Sequence, residues 1–179
     1  AEGYKENDPM GGYDPHSSSK GCAELVTSSY RRSFLQDQDI GIASVRAGNV
    51  IGGGDWADDR LIPDILRSFE KNKPVVIRNP KATRPWQHVL EPLSGYLILA
   101  QNLYKDQKKY SEGWNFGPNE KDVQPVDWIL DKIISKWPDS SWKLDSDSSP
   151  HEAGFLKLDI SKAKSRIGWS PVWELSQTL

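Results

Sequence analysis

Residues 40–56 read Ile40-Gly-Ile-Ala-Ser-Val-Arg-Ala-Gly-Asn-Val-Ile-Gly-Gly-Gly-Asp-Trp56 and decide the fold of this 179-residue chain. The first part, residues 40–46, has too few polar side chains for a half-exposed strand and has glycines near both ends. That pattern is typical of a buried strand in a parallel sheet. A Gly-rich loop follows the strand, and a helix is predicted before it. The order helix, buried strand, Gly-rich loop indicates an α/β fold.

The helix before this strand is predicted to begin after Pro15, because proline keeps the preceding residue out of helical dihedrals. Ser17 or Ser18 is expected to cap it, and apolar residues then recur at helical spacing through about residue 35. The same reasoning predicts these elements downstream: helices beginning near Pro63, Glu91, Pro125 and Ser161, and strands at 75–77, 113–116 and 156–159.

The charge balance and the apolar runs exclude several classes of partner. The chain has 23 basic and 25 acidic residues and a net charge of −2, which gives no electrostatic reason to expect nucleic acid or an anionic membrane as partner. The longest apolar run, at 96–100, is far shorter than the roughly 20 residues that span a bilayer.

A single cysteine, Cys22, and a polar N-terminus predict a cytoplasmic protein. His88 and His151 lack metal-ligand spacing, so no metal site is expected.

A second informative stretch reads Gly12-Tyr-Asp-Pro-His-Ser-Ser-Ser-Lys-Gly-Cys-Ala-Glu24. His16 and Lys20 are four residues apart, so their side chains share one face of the predicted helix. The stretch resembles the extended short-chain dehydrogenases, and in particular the CDP-glucose 4,6-dehydratases among them, which carry a tyrosine where this chain has His16. In that family the lysine lowers the pKa of the tyrosine, which is the catalytic base. The residue at which this chain differs from the family, His16, is therefore the one that the family uses as the catalytic base.

The resemblance to the CDP-glucose 4,6-dehydratases covers nearly the whole chain. Further matching segments are residues 45–56, 77–80, 84–95, 112–118 and 156–164. The resemblance implies the C-terminal part of a Rossmann-type parallel sheet together with a smaller α/β substrate-binding domain. The first is expected in residues 1–55, and the second mainly in residues 56–179, with the two interleaved.

A function follows from the same resemblance. It implies a hydro-lyase that converts CDP-glucose to CDP-4-keto-6-deoxyglucose with bound NAD. His16 and Lys20 would be catalytic, with Lys20 and Arg46 at the cofactor. The residues implied at the nucleotide sugar are Asn49, Arg78, Arg84, Trp86, Asn115 and His151. The two arginines suit the diphosphate, because guanidinium groups bind phosphate in a bidentate manner, while Trp86 either packs on the base or supports Arg84.

The histidine at position 16 leaves alternatives open. Unlike a phenol, an imidazole is already unprotonated near neutral pH and can accept a proton without help from a lysine. Its ring, however, stops short of where a phenol oxygen would lie, and a general base must reach hydrogen-bonding distance. His16 is therefore either a working or impaired base or a catalytically dead position. Tyr13 is a further candidate, although Pro15 separates it from the helix.

Two other functions stay open beside the dehydratase. One is a nucleotide-sugar epimerase of the same superfamily, and the other is a non-catalytic nucleotide-sugar-binding protein that has lost its base. Loss of the oxygen at C6 of the product separates a dehydratase from an epimerase, and binding without turnover identifies the non-catalytic protein.

The resemblance also implies that the chain is a C-terminal fragment. The family places the Gly-rich pyrophosphate turn, the Ser or Thr partner of the base, and the elimination acid and base before the position of Ala1. We therefore expect apolar faces of the helix at 17–35 and the strand at 40–47 to lie open, and the isolated chain to be poorly soluble or inactive. At full length, a homodimer or higher homo-oligomer is expected.

Overall fold

A computed structural model describes residues 2–145 and 154–179 of the chain. These residues form two compact units. The first unit consists of Ala1–Ala47, Pro92–Phe116 and Leu158–Ser170, and the second of Gly48–Glu91, Gly117–Lys157 and Pro171–Leu179. The units are interleaved in sequence, and their boundaries differ from the predicted division after residue 55, because strands from distant parts of the chain pair within each unit. Which ligand each unit binds stays a prediction.

The helices and strands alternate along the chain. The helices are α1 (Pro15–Tyr30), α2 (Leu61–Glu70), α3 (Leu90–Lys105), α4 (Gln107–Tyr110), α5 (Val126–Ile134), α6 (Ser161–Ile167) and α7 (Leu175–Thr178), with a π-helical segment at Arg31–Leu35 and a 3-10 turn at Glu120–Asp122. The strands are β1 (Ser44–Ala47), β2 (Asn49–Ile51), β3 (Val75–Ile77), β4 (Thr83–Arg84), β5 (Trp86–His88), β6 (Gly113–Phe116), β7 (Gln124–Pro125) and β8 (Trp142–Leu144). Of the four strand pairs within residues 2–145 and 154–179, three are parallel, and the predicted α/β class is confirmed.

The first unit is built around the parallel pair β1·β6, in which Ser44 lies opposite Gly113 and Ala47 opposite Phe116. Its core contains the following side chains: Leu99, Tyr110, Trp114, Phe116, Ile160, Ala163 and Trp169. Helix α3 packs closely on β6 at Gly95, where a Cβ atom would lie only 2.3 Å from two carbons of the Phe116 ring. The absence of a side chain at position 95 therefore allows this contact.

The second unit contains the parallel pairs β2·β5 and β3·β8 and the antiparallel pair β4·β7. Helices α2 and α5 supply much of its core, together with strand residues: Ile51, Ile65, Phe69, Val75, Ile77, Trp86, Val126, Ile129, Leu130, Ile133 and Leu175. The predicted helices near Pro63, Glu91 and Pro125 are confirmed as α2, α3 and α5 within a few residues.

The predicted cap of helix α1 is wrong. The cap is Asp14, whose backbone is extended and whose carboxylate accepts the N–H of Ser17 at 2.9 Å. Pro15 opens the helix and holds the residue before it in the extended conformation that a cap requires. Ser17 lies inside the first turn and donates its hydroxyl to the same carboxylate at 2.6 Å. The cap therefore lies one residue before the proline rather than two residues after it.

The predicted strands also differ in detail. Within the apolar stretch at 40–47, the strand β1 begins only at Ser44. Gly48 separates β1 from β2, and a Cβ atom at this position would lie 2.2 Å from the Pro85 carbonyl oxygen. β1 and β2 pair with different strands, which sequence periodicity does not reveal. Residues 156–159 form no named strand, and isolated bridges join Thr83 to Phe155 and Tyr4 to Leu158.

A group of apolar side chains on α1 and the segment after it is exposed, as expected. Leu25, Val26, Tyr30 and Phe34 are each more than half exposed. In the stretch at 40–47, Ile40 and Val45 are exposed by 46% and 40%. Among the residues that the structure describes, no helix has both the length and the apolar character that crossing a membrane requires.

Candidate active site

Helix α1 presents His16 and Lys20 one turn apart near its N-terminal end, and both side chains are exposed. Within residues 2–145 and 154–179, neither side chain has a hydrogen bond or ion pair. In the described part of the chain, the only hydrogen bond from a side chain to His16 is donated by the Ser19 hydroxyl to the His16 backbone carbonyl at 2.7 Å. The imidazole and the ammonium are therefore both accessible, and a catalytic role for the pair stays a prediction.

The loop before α1 folds closely onto the turn that carries His16. A Cβ atom at Gly12 would lie 2.3 Å from the Ser17 Cβ, and the Ser18 hydroxyl donates to the Gly12 carbonyl at 3.0 Å. Hydrogen bonds from the Ser17 hydroxyl and amide hold the pKa of the Asp14 carboxyl below its usual value. The cap is therefore charged at neutral pH, and it fixes the turn from which His16 projects.

Glu24 ties helix α1 to strand β1. Its carboxylate accepts from Arg46 Nε at 2.7 Å and from the Ser44 hydroxyl at 2.6 Å. Burial alone would raise the pKa of Glu24, but the hydrogen bonds and positive charge of Arg46, with the Ser44 hydroxyl, outweigh it and lower that pKa. Residues 16, 20 and 24 are each four apart and share a helix face. Sequence reasoning missed Glu24, although this repeat was the available signal.

Arg46, the predicted cofactor-binding residue, connects three parts of the first unit. Besides Glu24, its guanidinium donates to the Glu6 carbonyl at 3.1 Å and contacts the Met10 sulfur at 3.7 Å. These contacts hold the N-terminal loop beside the helix that carries Lys20. The structure thus gives Arg46 a positioning role, and direct contact with a cofactor stays a prediction.

Asn115, predicted to contact the nucleotide, is completely buried in the first unit. Its amide nitrogen donates to the carbonyls of Tyr4 at 3.0 Å and Asp159 at 3.3 Å, and its backbone N–H donates to the Glu6 carboxylate at 3.0 Å. Its amide oxygen is buried and has no hydrogen-bond partner among the described residues. The side chain thus joins two distant loops to β6, a role that the sequence did not indicate.

The second unit holds the remaining described substrate candidates. Asn49 opens β2 and is half-buried, while Arg78 follows β3 and is exposed with no hydrogen bond or ion pair in the described part of the chain. Arg84 is 9% exposed and donates to the Thr83 carbonyl at 3.0 Å. Trp86 is part of the hydrophobic core, so its burial favours the predicted supporting role over stacking on a ligand.

His88 is the one histidine outside α1 that the structure describes. His88 accepts the Leu90 N–H at 3.2 Å and lies edge-on to Trp173, with ring centroids 4.6 Å apart. Among the described residues, no group of three His, Cys, Asp or Glu side chains is arranged to hold a metal ion. His151, a predicted substrate contact, lies outside the described residues.

Comparison with known proteins identifies the family. Residues 1–115 match the model of the NAD dependent epimerase/dehydratase family, and the chain belongs to this family. The CDP-glucose 4,6-dehydratase of Salmonella typhimurium is 62% identical over 183 residues, covering 99% of this chain and 51% of that protein. This likeness confirms the predicted resemblance. UDP-glucuronic acid decarboxylase 1 of Arabidopsis thaliana is 24% identical, covering 96% of this chain and 37% of that protein.

Solved structures agree with the fold. The dTDP-glucose 4,6-dehydratase of Bacillus anthracis in complex with NAD superposes with a TM-score of 0.79 at 18% identity, covering 99% of this chain and 53% of that one. The UDP-glucuronic acid 4-epimerase of Bacillus cereus, in complex with UDP-glucuronic acid and NAD, superposes with a TM-score of 0.84 at 20% identity, covering 99% and 54%. The predicted Rossmann-type α/β fold is confirmed. The chain spans about half the length of the Salmonella typhimurium relative.

Proposed function

We propose that this chain contributes substrate-binding and proton-transfer residues to a nucleotide-sugar 4,6-dehydratase, which converts CDP-glucose to CDP-4-keto-6-deoxyglucose with NAD. The observation that carries the proposal is the 62% identity to the Salmonella typhimurium CDP-glucose 4,6-dehydratase over 99% of this chain. At the site itself, the exposed pair His16 and Lys20 supports it, because these side chains have no competing partner among the described residues.

We propose that a bound dinucleotide contacts Lys20 in the first unit. The exposed ammonium of Lys20 is free among the described residues to donate to the ribose hydroxyls of NAD, and the Glu24–Arg46 ion pair holds the helix that carries it. NAD, when bound, supplies the hydride-transfer chemistry of this reaction class. The protein's part is to orient the sugar and to move protons.

We propose that His16 takes the first proton. It would accept the proton of the sugar 4-hydroxyl as C4 becomes a ketone, and the ketone makes the proton at C5 acidic enough for water to be lost across C5 and C6. The shorter reach of an imidazole weakens this step relative to a tyrosine. The acid and base of the elimination step are not assigned to residues of this chain.

The diphosphate of the substrate would lie at arginines of the second unit. Arg78 is exposed and without a partner in the described part of the chain, so its guanidinium is available for bidentate contact with phosphate oxygens. Arg84 is largely buried and donates to the Thr83 carbonyl, which supports a fixed orientation. Asn49 is half-buried at the start of β2 and is proposed to contact the diphosphate or the sugar.

A second candidate function is nucleotide-sugar binding without turnover. The observation that favours it is His16 itself, since the base position carries a shorter side chain of different chemistry. The epimerase alternative has less support, because the likeness to the Bacillus cereus epimerase rests on 20% identity.

The test joins this chain to the part of the Salmonella typhimurium relative that it does not match, and incubates the chimera with CDP-glucose and NAD. A dehydratase gives a 4-keto product whose C6 is a methyl group, visible by proton NMR. A sugar inverted at C4 that keeps its 6-hydroxyl would identify an epimerase. Saturable CDP-glucose binding by calorimetry without either product would identify the non-catalytic alternative and overturn the dehydratase.

We also infer that the protein works as a homodimer or higher homo-oligomer in the cytoplasm. The support for association is the resemblance to the CDP-glucose 4,6-dehydratases, which implies a homo-oligomer at full length. The free thiol of Cys22 supports a reducing compartment. Sedimentation of the chimera tests the oligomer, and a single monomeric species at micromolar concentration would overturn it.

A further inference from the structure

The loop at residues 52–60 connects strand β2 to helix α2 in the second unit. Strand β2 runs parallel to β5, with Ile51 opposite His88, so the loop leaves the strand pair at its carboxyl end. In open α/β folds, ligands bind outside the carboxyl ends of parallel strands. The start of the loop is held there, because the Val89 N–H donates to the Ile51 carbonyl at 2.9 Å and a Cβ atom on Gly52 would lie 2.7 Å from the Val89 Cγ1 atom.

Arg67 of helix α2 holds the middle of this loop. Its guanidinium donates to the carbonyl of Trp56 at 2.6 Å and to the carbonyl of Ala57 at 3.1 Å, and it forms an ion pair with Asp64 on its own helix. Arginine suits this role, because its planar guanidinium presents several N–H donors in a fixed geometry. The backbone at Trp56 is therefore fixed from the helix, independently of how the Trp56 side chain packs.

The Trp56 side chain faces solvent at this fixed position. The residue is 57% exposed, whereas Trp86, Trp114 and Trp169 are each at most 7% exposed. Leaving a large aromatic surface in water forgoes the stabilisation that its burial gives. The loop also has a backbone conformation that few non-glycine residues adopt, since Asp59 has a φ of 57°. Such conformations cluster at binding and catalytic loops, and both features favour a loop that contacts a ligand.

Given the proposed function, on which this inference rests, we propose that Trp56 packs against a ring of the bound nucleotide sugar and that Arg67 is its positioning residue. The ring is the pyrimidine base or the hexose. The face of an indole suits either one, because bases stack on aromatic side chains and the C–H face of a hexose is apolar. The loop carries carboxylates at positions 55, 58 and 59, which repel a diphosphate. The rings are therefore the part of the ligand that suits this loop.

Calorimetry on the chimera with the Salmonella typhimurium relative, loaded with NAD, tests this contact. Trp56 is exposed, so its variants are expected to fold. Trp56→Ala is expected to weaken CDP-glucose binding by about ten-fold, the scale of one aromatic stacking contact, and Trp56→Phe to retain most of the affinity. The matched control is Tyr104→Ala, which removes an exposed aromatic ring of the first unit and leaves binding unchanged. An equal loss with CMP identifies the base as the stacked ring, and a loss confined to CDP-glucose identifies the hexose.

Arg67 needs a second measurement, because a general loss of stability in Arg67→Gln would also weaken binding. A positioning residue acts through Trp56, so Arg67→Gln is expected to weaken CDP-glucose binding in the chimera that has Trp56 and to have little further effect in the Trp56→Ala chimera. Equal effects in both would overturn the positioning role. CDP-glucose binding unchanged by Trp56→Ala would overturn the contact alone, whereas a chimera with Trp56 that fails to bind CDP-glucose would overturn the proposed function with it.

Discussion

Glu24 determines how helix α1 is held against strand β1. It accepts from two groups of that strand, the Arg46 guanidinium and the Ser44 hydroxyl, and it lies on the helix face that carries His16 and Lys20. A carboxylate with two donors resists rotation of the helix about its axis. We infer that the direction in which Lys20 points depends on this ion pair, although Glu24 itself touches no ligand.

Replacing this carboxylate tests its contribution to stability. Glu24→Gln is expected to lower the free energy of unfolding by about 1 kcal/mol, a charged hydrogen bond reduced by solvent screening. Urea denaturation of the chimera with the Salmonella typhimurium relative at pH 7 measures the change. The matched control is Glu70→Gln, the same substitution at an exposed residue without an ion pair in the described part of the chain. Equal loss in both variants would contradict the role given to Glu24.

The pH dependence of stability gives an independent test of the same carboxyl. The pKa of Glu24 is lower in the folded chain than the usual value of 4.5. At pH values between the folded and the unfolded pKa, the folded state therefore binds fewer protons than the unfolded state. The stability it contributes is fully present above pH 4.5 and is lost as the pH falls through the folded pKa. The difference between the wild-type chain and Glu24→Gln should therefore be constant from neutral pH down to about 4.5 and shrink as the pH falls further. A difference that grows on acidification would contradict this account.

At the scale of secondary-structure elements, the contact between α3 and β6 depends on Gly95. An added Cβ atom would lie 2.3 Å from the ring of buried Phe116 and 3.1 Å from the Trp169 indole nitrogen. Gly95→Ala is expected to destabilise the chain by about 1–3 kcal/mol through overpacking, measured by urea denaturation. Gly53→Ala is the control, since a Cβ atom there meets nothing within 4 Å. Tolerance of both changes would mean that α3 shifts freely on the strand.

Elements with strong local signals were predictable, and those fixed by long-range pairing were not. Pro15 marks the start of α1, and apolar periodicity marks α2, α3 and α5. The division of residues 40–51 into two strands depends on β6 and β5, which are distant in the chain. The same holds for β8, which pairs with β3 and was not predicted. Local pattern carries no information about such partners.

The site residues also divide into those placed by local sequence and those placed by long-range contacts. His16 and Lys20 were predictable as an exposed pair because helical spacing alone places them together. The roles of Asn115 and Arg46 were not, since both depend on loops near the N-terminus that the fold brings beside them.

At the scale of the whole molecule, the family assignment and the residue at position 16 point to different activities. Membership of the NAD dependent epimerase/dehydratase family, with 62% identity to a CDP-glucose 4,6-dehydratase, favours catalysis. A histidine in the place of the catalytic tyrosine favours binding with little turnover. Both expectations concern a protein about twice as long as this chain, since the chain spans 51% of that relative.

The most direct measurement compares the Salmonella typhimurium chimera as His16 with the same chimera carrying His16→Tyr, following the alkaline absorbance of the 4-keto product from CDP-glucose and NAD. The account predicts that the tyrosine raises kcat by about 100-fold or more, the usual contribution of a well-placed general base. Equal rates would show that His16 is a competent base and contradict an impaired site. No product from either form, with CDP-glucose binding intact, would contradict the proposed dehydratase.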